Sequence, residues 1–514
     1  MSASQICIIA TIVVYLVAMV LVGVYCSRKG AGGSSHEFYL GGRKLGPVVT
    51  AMSAEASDMS SYLLMGLPGL AYISGLADVT WTAIGLGVGT YLNWLLVAKR
   101  LRRYSIRLNA ITIPEFFSKR YHDKKNVLMS IAAIIIILFF VPYTASGFKA
   151  LGTMFNTLFG FDYHVSMIVG AIVVVLYTIM GGFMAVSTTD LIQGIVMSVA
   201  LIAIVVFGVN TAGGWQTVIQ NARALPGYFS MTHTYSIATG EAANYGFITI
   251  VSTLAWGLGY FGMPHILLRF MAMRDENEIK MSRRIASIWV VISMAIAIII
   301  GIVGYSCSVA GAIPFFTNSA DSETTIIRLS MILAQHGVLA SVIAGVVLAG
   351  ILASIMSTAD SQLLAASSAV SQNIISDVLH IKLSEKSSLM AARITVAAIA
   401  LIGLFLAWNP DSSVFTIVSF AWAGFGATFG PVVLFSLFWK RTNFYGSFAG
   451  LVSGGIMVFV WKYLVKPMGG IWGIYELLPA FMVASLFIVI VSLLTKAPGD
   501  EIVAEFEEVK AKIH

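Results

Sequence analysis

The sequence predicts an all-α integral membrane protein with about thirteen transmembrane helices, and three observations predict it. The 514 residues are 58% hydrophobic and 11% charged, against about 25% charged in a soluble globular chain. Apolar runs of about 20 residues, the length that crosses a bilayer as a helix, recur from end to end. Basic residues gather in alternate loops, the pattern of a cytoplasmic membrane face.

The apolar runs fall at about 5–26, 46–74, 78–98, 126–158, 163–181, 189–210, 242–268, 285–308, 338–376, 389–408, 412–438, 444–464 and 472–495, numbered spans 1 to 13. With the N-terminus outside, the cytoplasmic loops hold Arg28, Lys29, Arg43, Lys44 and the cations between Lys99 and Lys125. They also hold Arg269, Arg274, Lys280, Arg283, Arg284, Lys382, Lys386, Arg393, Lys440 and Arg441. The tail, 496–514, adds Lys496, Lys510 and Lys512 on the same side. The outer loops have Arg223, Arg328, Lys462 and Lys466, and Lys149 falls inside span 4. A missed or invented span would scramble this asymmetry. The net charge of +7 is therefore topological and does not imply nucleic-acid binding.

Cys7, Cys26 and Cys307 show no metal or disulfide spacing and read as small apolar residues. The run Ile6 to Val24 is too long for a signal h-region and follows no basic n-region, so a retained span is expected. The larger outer loops are about 211–241 and 309–337. No soluble domain is expected, and the tail after Pro498 reads as a surface helix. Residues 1–514 thus make a single transmembrane domain.

Spans 2 and 7 are interrupted. Span 2 carries Glu55, Asp58 and four serines between Ser53 and Ser61. An acid at bilayer depth costs several kcal/mol on insertion scales. Span 7 carries Gly257, Gly259, Gly262 and Pro264 within eight residues; each Gly weakens a helix by about 1 kcal/mol and an interior Pro by about 3. Irregular backbone survives in a membrane only inside protein or beside a water-filled cavity. Spans 2 and 7 are five apart, and two five-span units in series lie upside down relative to each other. Paired breaks at matching places in inverted repeats mark a transporter's binding site. Close helix packing is the other reading of such glycines.

A broken helix leaves carbonyls with partial negative charge at the end of its first half, and Ala56 and Met59 stand there. Span 9 places Ser354, Ser357, Thr358 and Ser361 on one helical face, with Asp360 beside them. Hydroxyls in membrane helices also bond back to their own helix, the commoner fate of any single one. Asp190, near the start of span 6, reads equally well as a helix N-cap or first-turn acid.

Several stretches carry a family resemblance: LGGRKLGP from Leu40, ASDMS followed by LLMGLPG, LFFVPYTASG from Leu138, YTIMGGFMAVS, WGLGYFGMPHIL, IMST with SQLL, and SFAWAGFGATFGPVVLFSLFW from Ser419. Over about residues 6–498 the chain resembles the sodium:solute symporter family, and within it the bacterial sodium/proline symporters. The resemblance implies a LeuT-type fold of inverted five-helix repeats, at 46–210 and 242–438. One extra N-terminal helix (5–26) precedes them and two C-terminal helices (444–495) follow.

The resemblance also implies a sodium site from Ala56, Met59, Ser354, Ser357 and Thr358, with Asp58 beside it. A second sodium or coupling site would involve Asp190, Asp360 and Ser361, together with Ser357. Tyr143, Trp256, Tyr260 and Pro264 would surround a proline ring, with Ser57 and Ser60 nearby. Arg43 matches a basic residue at the cytoplasmic entrance, or is ordinary positive-inside charge. The chain departs from the proline-symporter pattern at Glu55, Ser61, Tyr62, Met263 and Asp360.

The expected function is secondary active symport of L-proline with sodium, at the cell's inner (plasma) membrane, with the C-terminus cytoplasmic. Sodium is the coupling ion; no other cofactor and no nucleic-acid partner is expected, and a monomer suffices. No nucleophile–base or metal set suggests an enzyme. The alternatives are a sodium- or proton-coupled symporter for another small amino acid or a carboxylate, and a membrane sensor built on a transporter fold.

Overall fold

The computed structural model describes residues 2–29, 35–180, 182–381 and 384–511. Of the cations assigned to the cytoplasmic side, Lys382 and Lys512 lie outside the described residues, as do the side chains of Arg28, Lys29 and Lys386.

Each apolar run falls on helix. Span 1 is Ala3–Lys29, span 3 Leu76–Arg107, span 4 Val127–Phe159, span 5 Tyr163–Met180 and span 6 Phe183–Thr211. Span 8 runs through Ile279–Val309, span 9 Val338–Val378, span 10 Glu385–Leu406 and span 11 Val414–Phe438. Span 12 is Phe444–Met468 and span 13 Leu477–Leu494. Among the described residues, nine of these are long and apolar enough to cross a bilayer, and bent span 7 makes a tenth. The chain is a multi-pass membrane protein.

Spans 2 and 7 are each built in pieces. Span 2 runs Pro47–Ser61, then a π-helical turn Tyr62–Gly66, then Leu67–Ser74. Span 7 runs Phe247–Leu254, a 3-10 stretch Ala255–Gly262, then Pro264–Ala272, with a 48° bend at the break. Pro264 opens the last piece, where its missing N–H is harmless and its fixed φ suits a first turn.

The packing repeats with a period of five spans. Span 2 packs on spans 6, 8 and 9; span 7 packs on spans 11 and 3. Adding five to 6 and 8, and wrapping from 13 to 3, gives the two partners of span 7, the relation expected of an inverted repeat; the contact of span 2 with span 9 is extra to it. Span 1 lies against spans 6 and 9, and spans 12 and 13 pack on each other and on span 11.

Both readings of the span 7 glycines hold together. A Cβ at Gly257 would strike the backbone of Gly85 in span 3, one at Gly259 the Trp422 ring, and one at Gly262 the Phe425 carbonyl. The same glycines that weaken the helix let spans 3 and 11 approach it.

The loops 211–241 and 309–337, expected on the outer side, and the residues after them carry secondary structure of their own. They hold a helix Trp215–Ala224, an antiparallel hairpin pairing His233–Ser236 with Glu241–Asn244, and helices Ser319–Ser322 and Thr325–Leu333. Lys149 and Glu323 meet at 3.8 Å, both buried, tying span 4 to the outer loop before span 9. Glu323 accepts from Ser413 Oγ and from the amides of Val414 and Phe415, capping span 11. The tail forms a surface helix, Asp500–Ala511, seated through Phe506 and Val509.

Candidate functional site

The middle of span 2 is buried throughout. Its helix breaks at Ser60, whose φ of 49 and ψ of −167 lie where a non-glycine residue stays only when its surroundings hold it. Those surroundings are identifiable. Ser60 Oγ accepts from the Tyr62 amide at 3.2 Å. Tyr143 of span 4 donates its hydroxyl to the Asp58 carbonyl at 3.0 Å. Tyr260 of span 7 donates to Asp58 Oδ2 at 2.6 Å.

The aromatic residues expected around a solute converge on this break. Trp256 stacks on Tyr62 with ring centroids 5.9 Å apart. Its other neighbours, Tyr475 at 4.9 Å and Phe415 at 5.5 Å, come from beyond the quoted motifs or from the first turn of span 11. Trp422 donates its indole N–H to the Trp256 carbonyl at 2.8 Å and meets Tyr260 edge-on at 5.1 Å. Tyr143, Trp256, Tyr260 and Ser60 are thus brought together. Ser57 Oγ bonds back to the Ala54 carbonyl, and Pro264 is buried at the start of the inner half of span 7.

The hydroxyl face of span 9 meets span 2. Ser357 Oγ donates to the Ala56 carbonyl at 2.8 Å, across spans. Thr358 Oγ1 is buried without a hydrogen-bond partner among the described residues. Ser354 Oγ donates to the Ile351 carbonyl of its own helix, and the Ser354 carbonyl accepts from Ser357 Oγ at 3.4 Å. The Met59 carbonyl accepts from the Tyr62 amide. Hard cations such as sodium are held by sets of carbonyl and hydroxyl oxygens; the Ala56 carbonyl and Ser357 hydroxyl, which meet just before the break, are oxygens of that kind.

The second cluster differs from its sequence reading. Asp190 lies well inside the helix Phe183–Thr211, neither cap nor first turn, and is completely buried. Arg269, assigned by sequence to a cytoplasmic loop, is 1% exposed on the inner half of span 7. Hydropathy treats an Arg at the edge of an apolar run as the loop beyond it; here an acid from span 6 draws it inside. Its Nη2 donates to Asp190 Oδ2 at 3.0 Å and to Ser361 Oγ at 2.6 Å. Its Nε donates to Ser53 Oγ at 2.9 Å, and Ser53 donates to the same Asp190 oxygen at 2.6 Å. Asp360 is joined through Ser361, whose hydroxyl lies 3.3 Å from Asp360 Oδ1. One guanidinium therefore links spans 2, 6, 7 and 9.

Arg43 is more than a surface charge. It donates to the carbonyls of Met271 at 2.6 Å and Ala110 at 2.7 Å, and to Ser105 Oγ at 3.0 Å. These bonds bind the start of span 2 to the end of span 3 and the end of span 7, and the Leu45–Met273 bridge lies beside them.

The sequence pattern of the sodium:solute symporter family matches residues 38–454. Proteins named sodium/proline symporter from Staphylococcus aureus strains USA300 and NCTC 8325 are 38% identical over 510 residues, covering 97% of this chain and 95% of theirs. Among solved structures, a Na+-coupled sialic acid symporter in a substrate-bound outward-open state superposes with a TM-score of 0.76 at 19% identity. The match covers 96% of this chain and 99% of that one. The nucleobase-cation-symport-1 transporter Mhp1, in a closed conformation, gives 0.55 at 12% identity over 92% and 98%. At these identities the likeness is one of fold.

Proposed function

We propose that this chain, which belongs to the sodium:solute symporter family, couples inward sodium movement to uptake of L-proline across the cell membrane, with its N-terminus outside. The full-length similarity to proteins named sodium/proline symporter supports the substrate. The observation that supports the mechanism is that the Ala56–Ser357 contact, with the unpartnered Thr358 hydroxyl one residue on, lies on the same span 2 segment as the aromatic group of Tyr143, Tyr260 and, through Tyr62, Trp256.

Sodium at the break binds span 2 to span 9 and neutralises the carbonyl end of the half-helix. That fixes Asp58, and through it Tyr143 and Tyr260, which face the solute. The second ligand then meets a pre-organised site, which is positive and reciprocal coupling. The ring faces of Trp256 and Tyr260 suit an apolar pyrrolidine, and the serine and tyrosine hydroxyls suit its ammonium and carboxylate. One net charge moving inward gains about 2.3 kcal/mol per 100 mV, enough to concentrate a solute many-fold without covalent chemistry.

A second reading, another small amino acid or a carboxylate, draws on Tyr62 and Met263, both buried at the site and both departures from the proline-symporter pattern. Uptake of labelled proline into proteoliposomes decides. An inward sodium gradient should drive accumulation, and unlabelled proline should compete best in a panel of amino acids. Accumulation indifferent to sodium contradicts the coupling; competition by a different solute alone contradicts the substrate.

A further inference from the structure

We propose that Glu55 and Asp58 of span 2, with Thr90 and Asn93 of span 3, form a second sodium site, distinct from the oxygens that join span 2 to span 9. The proposal rests on the reading of this chain as a sodium-driven symporter.

Three of the four, Glu55, Asp58 and Asn93, belong to a closed ring of contacts across spans 2, 3 and 7, and Thr90 lies one turn before Asn93 on span 3. Trp94 donates its indole N–H to Glu55 Oε1 at 3.2 Å. Its neighbour Asn93 donates Nδ2 to the Tyr260 carbonyl at 3.0 Å. Tyr260 closes the ring by donating to Asp58 Oδ2 at 2.6 Å. Glu55 and Asp58 are three apart on one helix, as are Thr90 and Asn93, so each pair shares a face.

Each of the four carries an oxygen with no hydrogen-bond partner among the described residues: Glu55 Oε2, Asp58 Oδ1, Thr90 Oγ1 and Asn93 Oδ1. All four residues are at least nine-tenths buried. Neither acid forms an ion pair among the described residues, whereas the deeply buried acids Asp190, Glu323 and Glu476 each meet a basic side chain and Asp360 is joined through Ser361 to the one on Asp190. Two carboxylates in a low-dielectric interior repel, and an unpaired buried charge costs several kcal/mol. A cation between them removes both penalties. Carboxylate, amide and hydroxyl oxygens, with no sulfur or imidazole in the set, fit a hard cation.

The position also gives such an ion an effect on transport. Tyr260 is in the 3-10 stretch of span 7 and touches Trp422, which in turn holds the Trp256 carbonyl. A cation that draws Asp58 and Glu55 toward span 3 holds the two broken spans in register, and with them the aromatic group facing the solute.

The test is the coupling ratio, from paired uptake of radioactive sodium and labelled proline into proteoliposomes at fixed membrane potential. The site predicts about two sodium ions per substrate in the wild type and about one in Glu55→Gln. Thr90→Val should raise the half-activating sodium concentration several-fold. A wild-type ratio near one overturns the proposal whether or not the Glu55 variant folds. So does a ratio near two that Glu55→Gln leaves in place. Uptake in which protons accompany a single sodium, with the proton flux lost in Glu55→Gln, also overturns it, because the pocket then takes a proton. Sodium-independent uptake would instead sink the symporter reading beneath it.

Discussion

Two pairs of buried acids flank the inner half of span 2, and the chain treats them in opposite ways. Asp190 and Asp360 lie on the side of spans 6 and 9 and have Arg269 among them, bonded to Asp190 and to Ser361. Glu55 and Asp58 lie on the side of spans 3 and 7 and are bonded to an indole and a phenol, with no ion pair to a base among the described residues. A carboxylate in a low-dielectric interior needs a positive partner. Where the chain supplies it, the cluster is a fixed tie between four spans. Where the chain withholds it, an ion from solution has something to do, and its arrival and departure can be coupled to movement.

The contrast is open to attack by substitution. The largest effect belongs to the fixed cation. Arg269→Ala strips the base from two buried acids and should destabilise the protein by about 3–5 kcal/mol. The measure is the yield of folded protein and its unfolding temperature in detergent. Adding Asp190→Asn should restore part of the loss, and wild-type stability in the single variant would show that the guanidinium holds nothing.

The ion side follows. Asp58→Ala and Thr358→Ala should each raise the sodium concentration for half-maximal uptake by about tenfold, or ~1.4 kcal/mol, with stability less affected than in Arg269→Ala. Trp256→Ala should shift the substrate concentration instead, by about tenfold, through loss of stacked ring area, and move the sodium dependence less than Asp58→Ala does. The smallest effect is Tyr475→Phe. It keeps the stack on Trp256 and removes only the hydroxyl bond to the Ser419 carbonyl, a change of about 1 kcal/mol. A tenfold loss of substrate affinity there would mean that the Tyr475 hydroxyl faces the solute.

Most of the fold was legible because the bilayer imposes a length and a polarity on every span, and runs such as 126–158 and 338–376 satisfy both. The breaks were legible for the same reason: serines and acids at Ser53–Ser61, and glycines before Pro264, violate that rule. The site was legible where one helix presents several oxygens at helical spacing, as Ser354, Ser357, Thr358 and Ser361 do. What stayed hidden depends on partners remote in sequence. Arg269 looks like a loop charge until Asp190 is placed beside it. Lys149 looks anomalous until Glu323 arrives from an outer loop. Phe415 and Tyr475 are ordinary aromatics at span ends, and only the packing of spans 11 and 13 against span 7 turns them toward Trp256. The hairpin His233–Asn244 is short and largely exposed, so it leaves no hydrophobic pattern to read.

Equilibrium binding of labelled proline to the purified protein, titrated with sodium at constant ionic strength, bears most directly on the central claim that a cation at the span 2 break builds the solute site. Proline affinity should rise with sodium and saturate, and Asp58→Ala should flatten that dependence. Binding of equal strength in sodium and in choline would contradict it.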